Sequence, residues 1–183
     1  MHTRLRALPL AAAVALVPAL AFSASHSSGG AEEMTASMID TNGDEVGTAT
    51  FTMTPSGIVL VRAEVRGLEP GEHGFHIHET GECDPSTGFE SAGGHYAGEG
   101  DPKHGTVEGG PHAGDMPNAM AGEDGMLMVE VFNPRITLDG DMNPLADADG
   151  SALMIHSGAD DYESQPSGDA GSRVACGVIS AAQ

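Results

Sequence analysis

The stretch VGTATFTMTPSGIVLVRAEV, residues 46–65, alternates between side-chain types on both sides of a Pro-Ser-Gly turn. Successive side chains of a β-strand point to opposite faces, so an alternating segment can bury one face and expose the other. Two such runs joined by a short turn are typical of a β-hairpin. This stretch therefore predicts two antiparallel strands.

The same pattern continues on both sides of the hairpin. Further short runs of alternating or apolar residues lie at 34–40, 74–79, 126–132, 151–157 and 173–180. The 26 glycines and 11 prolines argue against long helices. We predict an all-β domain, either a sandwich or a barrel. Residues 80–125 and 157–172 have no strong period, and we expect them to form two long functional loops.

The N-terminal residues are arranged like an export signal. They begin with two arginines, continue with an apolar run and end in small residues, which is typical of a signal peptide, here cleaved near residues 21–24. A membrane anchor is the alternative, but the run contains Pro18 and is shorter than the ~20 residues that a span needs. We expect residues 1–21 to be removed, residues 22–32 to be a flexible segment and residues 33–183 to form the domain.

The chain is strongly acidic. It carries 27 acidic and 7 basic residues, for a formal net charge of −20. Without Arg4 and Arg6 the mature chain keeps five basic residues against the 27 acidic ones, a formal charge of −22. Such a surface repels nucleic acids and anionic lipids. We predict no nucleic-acid partner, no stable membrane association after cleavage, and a periplasmic or secreted protein.

The chain has two cysteines, Cys83 and Cys176. In an exported protein such a pair most often forms a disulfide. A pair of soft metal ligands is the alternative. It is disfavoured because neither cysteine has another cysteine nearby.

Histidines are concentrated in one segment. GEHGFHIHET, residues 71–80, holds three of the nine in the chain. His76 and His78 are two positions apart, so in a strand they point to the same face, while Phe75 and Ile77 face the core. Two imidazoles on one face form half of a copper or zinc site.

The long segment that follows supplies further metal-binding residues. His95, His104, His112 and Asp115 follow one another at intervals of 9, 8 and 3. Three imidazoles and one carboxylate suit tetrahedral zinc. His156 ends a later apolar run and adds another nitrogen ligand. The pattern favours a metal site over scattered histidines.

Five motifs, in order, resemble those of the copper,zinc superoxide dismutases: GEHGFHIHETGEC, SAGGHYAGEGDPKHG, GGPHAGDMPNA, ALMIHSGADD and GDAGSRVACGVI. They span nearly the whole of residues 33–183. The resemblance implies a flattened eight-stranded Greek-key β-barrel, or sandwich, with two long functional loops. It also implies dismutation of superoxide to oxygen and hydrogen peroxide, one copper and one zinc ion per subunit, and a possible homodimer.

Carried over by position, the resemblance implies two ligand sets that share His95. The copper ligands are His76, His78, His95 and His156, and the zinc ligands are His95, His104, His112 and Asp115. Copper would cycle between two oxidation states, and zinc would be structural. His95 would bridge the metals and return a proton to the peroxide product.

The resemblance also assigns residues around the metals. Asp160 matches a carboxylate that orients one ligand of each metal, and Arg173 matches an arginine that holds a small anion near copper. The alternatives are a solvated loop acid and a surface arginine. Cys83 and Cys176 match a disulfide within the subunit, which would tie the long loop to the last strand.

A different class of protein could share these ligands. An exported copper- or zinc-binding buffer or chaperone would bind metal without turnover. Ten methionines, including Met116 and Met120 in the long loop, fit Cu(I) handling, although methionine more often fills gaps in a core. The complete ligand set, together with Asp160 and Arg173, favours the enzyme.

Overall fold

The computed structural model describes residues 33–100 and 102–182, and the expected signal peptide and flexible segment lie outside them. The strands are β1 (Glu33–Asp40), β2 (Glu45–Met53), β3 (Val59–Val65), β4 (Gly71–His73), β5 (Phe75–His78), β6 (Ala119–Ala121), β7 (Leu127–Asn133), β8 (Ser151–His156) and β9 (Arg173–Ala181). Two short 3-10 turns, Pro85–Thr87 and Glu90–Ala92, are the helical segments of the described part of the chain. None of the described residues forms a helix that is long and apolar enough to span a membrane. The all-β prediction is confirmed.

The strands form one antiparallel sheet in the order β4-β6-β7-β3-β2-β1-β9-β8-β5. β4 and β5, at the two ends of this order, are neighbours in the chain and are separated only by Gly74. The sheet therefore curls into a nearly closed barrel. The predicted Greek-key barrel is confirmed, with nine strand segments instead of eight because the chain changes its pairing partner at Gly74.

Gly74 lets the chain pass from one end of the sheet to the other. β4 pairs with β6, whereas β5 pairs with β8. Gly74 N donates to Gly158 O at 2.7 Å, and Gly74 O accepts from His156 N at 2.9 Å. A Cβ at this position would lie 2.8 Å from the Cβ of Ala170. The crossing therefore has room only for glycine.

The predicted hairpin forms the centre of the sheet. β2 and β3 pair in the register Gly47↔Val65 to Met53↔Val59. Phe51 on β2 and Val61 on β3 are buried inside the barrel, as the alternation requires. Each large apolar side chain buried in this way stabilises the fold by about 1.5–3 kcal/mol.

The first long loop, residues 79–118, packs a second apolar cluster against the outside of β8 and β9. Its buried members are Phe89, Ala92, Ala152, Met154 and Cys176. Cys83 on the loop forms a disulfide with Cys176, with their Cα atoms 5.8 Å apart. The predicted disulfide is confirmed, and the alternative of two soft metal ligands is wrong. The two long loops are found where they were predicted, except that residues 119–121 form the short strand β6.

The same loop runs along one edge of β5. β5 is the last strand in the sheet order and has β8 beside it. On its other side Ile77 N donates to Gly114 O at 3.0 Å, and Tyr96 N donates to Ile77 O at 2.8 Å. The loop is thereby held against the strand that carries His76 and His78.

Candidate metal centre

β5 presents two histidines on the face opposite the barrel core. The apolar residues of the strand point into the core, so His76 and His78 point outwards, beneath the long loop, where both are buried. Isolated bridges place His76 opposite Asp115 and His78 opposite His95. Strand and loop together therefore bring ligand-type side chains from distant parts of the sequence side by side.

Four imidazoles meet beside β5 and form the four-histidine cluster: His76, His78, His95 and His156. One ring nitrogen of each lies within 4.8 Å of those of the others. Each ring also has one buried nitrogen without a hydrogen-bond partner among the described residues; these are His76 Nδ1, His78 Nε2, His95 Nε2 and His156 Nε2. Buried polar atoms are nearly always paired. Four unpaired imidazole nitrogens at one place fit a copper ion.

The opposite nitrogen of each ring lies beside an oxygen atom. His76 Nε2 lies 2.7 Å from Asp160 Oδ2, and His95 Nδ1 lies 3.0 Å from Asp115 Oδ1. His78 Nδ1 lies 3.0 Å from Gly93 O, and His156 Nδ1 lies 3.2 Å from Gly171 O. Because the oxygens beside His76, His78 and His156 accept, the paired nitrogen of each of these three rings carries the proton and the unpaired nitrogen carries the lone pair. The partner of His95 Nδ1, Asp115, is itself a ligand-type residue of a second group that includes His95.

A second group, the zinc-type cluster, contains His95, His104, His112 and Asp115. The Nδ1 atoms of His95 and His104 each lie 3.0 Å from Asp115 Oδ1, and His112 Nδ1 lies 3.4 Å from it. Asp115 Oδ2 accepts hydrogen bonds from the backbone N–H groups of Gly105 and His112. A fixed carboxylate and three imidazoles form a donor set suited to tetrahedral zinc.

Burial keeps three of the imidazoles neutral by lowering their pKa values. It lowers the pKa of His95 to about 4 and the pKa of His156 to about 3, and it holds the pKa of His78 well below its ordinary value. Burial acts to raise the pKa of Asp115, but the imidazoles of His112 and His95 outweigh it and keep that pKa below its ordinary value. Near neutral pH His78, His95 and His156 therefore offer free lone pairs and Asp115 offers an ionised carboxylate, which metal ligation requires.

Asp160 joins the two clusters. Its Oδ2 lies 2.7 Å from His76 Nε2 and its Oδ1 lies 3.0 Å from His104 Nε2. It is only 3% exposed. The side-chain amide of Asn118 bonds to its backbone N–H and C=O at 2.8 and 2.9 Å. The adjacent Asp161 is exposed and accepts hydrogen bonds within its own turn, so only the first of the two acids contacts the clusters.

Arg173, at the start of β9, borders a cleft of about 430 Å³ that three members of the four-histidine cluster also line. Its guanidinium donates to Phe89 O at 2.6 Å and to Gly93 O at 2.7 Å. Gly93 O is also the partner of His78 Nδ1. A guanidinium has five N–H donors. Arg173 is therefore fixed by the loop and still has donors for a small anion.

Glu90 also borders the cleft, and no sequence motif marks it. Its Oε2 lies 3.8 Å from Arg173 Nη2, and its side chain is 76% exposed. A carboxylate at this position opposes the attraction that the guanidinium exerts on anions.

Every residue of the two predicted ligand sets lies in one of the two clusters. His73 lies outside both, because its ring nitrogens contact the backbone carbonyls of His156 and Glu69 at 2.6 and 2.8 Å. Unpredicted residues that contact the site include Asn118, Asn133 and Arg135. In the sequence, Asn133 and Arg135 flank a proline, which indicates only a turn.

The fold and the site define a class of protein: an antiparallel β-barrel with a two-metal centre whose ligand clusters share one imidazole. Residues 45–179 match the family described as copper/zinc superoxide dismutase (SODC). Superoxide dismutase (Cu-Zn) 2 of Aquifex aeolicus is 50% identical over 147 residues, which cover 79% of this chain and 84% of that protein. The solved Cu/Zn superoxide dismutase from Brucella abortus is 34% identical, with a TM-score of 0.65, over 81% of this chain and 100% of that one. A SOD-like protein from Bacillus subtilis is 35% identical, with a TM-score of 0.72, over 78% and 95%.

The chain belongs to the copper/zinc superoxide dismutase family. It is an oxidoreductase that converts two superoxide anions and two protons into oxygen and hydrogen peroxide. The two histidine clusters are compatible with one copper ion and one zinc ion. A metal-binding buffer or chaperone without turnover is not favoured.

Proposed function

We propose that the four-histidine cluster binds copper and that the zinc-type cluster binds zinc, with His95 as the shared ligand. One observation carries this assignment: of the five buried ring nitrogens without a hydrogen-bond partner among the described residues, four belong to His76, His78, His95 and His156, and the fifth, His112 Nδ1, lies in the zinc-type cluster. The opposite nitrogens of His76, His78 and His156 donate to oxygen acceptors, so the free lone pair of each of these rings is fixed in direction. The opposite nitrogen of His95 lies 3.0 Å from Asp115 Oδ1, on the side of the zinc-type cluster.

Copper, when bound, supplies the one-electron redox chemistry, and zinc, which has none, supplies a fixed positive charge. His95 Nε2, the nitrogen on the side of the four-histidine cluster, would hold one of the two protons of the reaction whenever it is not a copper ligand. Its Nδ1 is anchored beside Asp115. Asp160 keeps His76 and His104 in position through their Nε2 atoms.

Arg173 binds the superoxide anion in the cleft. The guanidinium keeps its charge at any physiological pH. The carbonyls of Phe89 and Gly93 fix it at 2.6 and 2.7 Å, so the anion is held at a set distance from the histidines. Orientation of a small substrate in this way lowers the entropic part of the barrier.

We further propose that residues 33–183 form the catalytic domain of an exported protein that is periplasmic or secreted. Cleavage near residues 21–24 would release it, with residues 22–32 as a flexible N-terminal segment. The Cys83–Cys176 disulfide supports this proposal, because disulfides persist in oxidising compartments. Homodimerisation and the lack of stable membrane association after cleavage stay predictions.

Metal analysis and superoxide consumption, measured on the same purified protein, test the ligand assignment. We expect one copper and one zinc per chain, and activity that is lost on copper chelation and restored by copper. Asp115→Ala should lose zinc, whereas the matched control Asp161→Ala, which removes an exposed acid, should keep both metals. Bound metal without dismutation would instead indicate a buffer or chaperone.

A Glu90→Gln variant should consume superoxide a few-fold faster than the parent protein at low ionic strength, because it removes a negative charge beside Arg173. The gain should shrink with added salt, since the screening length falls from ~8 Å at physiological strength to ~3 Å at 1 M. Stopped-flow rates at several salt concentrations check this. An equal gain in Glu72→Gln, the same charge change at the exposed residue of β4, would point to net charge and contradict a local role.

A further inference from the structure

The ligands of the zinc-type cluster lie on a loop and not on strands. His95, His104, His112 and Asp115 all belong to residues 79–118, between β5 and β6. A loop lacks the regular hydrogen-bond ladder that fixes a strand, so other elements must hold its backbone. Metal ligands bind tightly only when they are already held near the required geometry.

The chain at the end of β7 supplies such a support. Arg135 Nε donates to His112 O at 3.2 Å, and Arg135 Nη2 donates to Asp115 O at 2.5 Å. Asn133 Nδ2 donates to Ala113 O at 2.8 Å. We call Asn133 and Arg135 the carbonyl clamp, because together they bind three backbone carbonyls of the ligand-bearing loop.

The clamp is itself fixed to the barrel. Asn133 is the last residue of β7 and is 1% exposed. Its Oδ1 accepts from Arg135 N at 2.9 Å, and Asn143 Nδ2 donates to Arg135 O at 2.8 Å. Pro134, between the two clamp residues, restricts the backbone further. The barrel can therefore impose its geometry on the loop through these side chains.

The remaining carbonyl in this run of the loop is also bound. Gly114 O accepts from Ile77 N of β5, the strand that carries His76 and His78. All four carbonyls from residue 112 to residue 115 are thus held, three by the clamp and one by β5. The loop between the two zinc-type ligands His112 and Asp115 has little freedom to move.

We propose that Asn133 and Arg135 are positioning residues for zinc, fixing His112 and Asp115 in their ligating arrangement before the metal binds. The inference rests on the proposed zinc ligands. A positive guanidinium near a divalent ion opposes metal binding by charge alone, so the effect of the clamp is geometric. Arginine suits it because one planar group reaches two carbonyls, which a lysine ammonium on a flexible stem does less well.

Zinc affinity of the metal-free full chain, measured by competition with a colorimetric chelator, tests the proposal. Arg135→Gln and Arg135→Lys should both bind zinc more weakly, by about 10- to 100-fold for the glutamine variant and by less for lysine. Copper affinity should be unchanged. The matched control is Arg62→Gln, which removes an exposed arginine that pairs with Glu130 at 2.6 Å on the outer barrel surface.

Cobalt(II) absorption gives a second readout that general destabilisation does not mimic. Asp115→Ala identifies the bands of the zinc-type cluster, and Arg135→Gln should shift or weaken those same bands. If Arg135→Gln keeps the parental zinc affinity, with or without a lower melting temperature, the proposed positioning role of the carbonyl clamp is overturned. Unchanged zinc affinity in Asp115→Ala would instead overturn the ligand assignment. If Arg135→Gln does not fold, Arg135→Lys and Asn133→Asp, which lacks the amide donor, decide the question by the same two readouts.

Discussion

A His95→Ala variant should lose superoxide dismutation by more than about 100-fold, beyond the 10- to 100-fold loss usual for a residue that only supports a ligand. His95 contributes an unpaired Nε2 to the four-histidine cluster, and its Nδ1 lies 3.0 Å from Asp115 in the zinc-type cluster. Removing this side chain should therefore weaken the binding of both copper and zinc. Superoxide consumption and metal content of the same purified sample measure the two effects.

His112→Ala is the matched comparison for this variant. His112 belongs to the zinc-type cluster alone, so its loss should lower zinc content while copper and part of the activity remain. Circular dichroism should show the same strand content in both variants. A His95→Ala protein that retains both metals at parental levels would rule out the shared-ligand role.

Removing the disulfide should produce the largest change in stability. Cys83 and Cys176 are 93 positions apart. Removing a cross-link that closes a loop of this length gives the unfolded chain more conformational freedom and lowers the free energy of unfolding by about 4 kcal/mol. We propose Cys83→Ser with Cys176→Ala, because Cys176 is fully buried in an apolar cluster where a hydroxyl would lack a partner. Guanidinium denaturation of the metal-free proteins measures the difference.

A reducing agent provides the control for this prediction. It should destabilise the parent protein by a similar amount and leave the double variant unaffected. Activity should also fall in part, since the carbonyls that hold Arg173 lie on the loop that the disulfide fastens. Equal unfolding midpoints for the parent protein and the variant would show that the apolar cluster alone holds the loop.

The barrel strands were predictable because a sheet with one buried face leaves an alternating sequence. Phe51 and Val61 lie inside the barrel as the alternation of β2 and β3 requires. The division at Gly74 was not predictable, because it depends on contacts with Gly158 and Ala170 far along the chain. β6 was also missed, since three residues are too few to show a period.

The metal ligands were predictable because histidine is uncommon and chemically distinctive. Their supports were not. Asp160 and Asp161 are identical in type, and only the fold buries one of them. Gly168 has a φ of +72°, and a Cβ there would overlap Asp160 Oδ1, which the sequence does not reveal. Asn133 and Arg135 donate to backbone carbonyls. Because every residue carries a carbonyl, the sequence does not mark which residues will be their partners.

β5 lies at the end of the sheet order, so the cover of its second edge depends on the ligand-bearing loop. An uncovered strand edge is a template for pairing with another chain. Here the covering backbone belongs to Tyr96 and Gly114, which bond to Ile77 between the two histidines of β5. In the sequence, Tyr96 directly follows His95, and Gly114 directly precedes Asp115. Whatever orders the ligand-bearing loop therefore also covers this strand edge, and we expect metal binding to protect the edge from pairing with another chain.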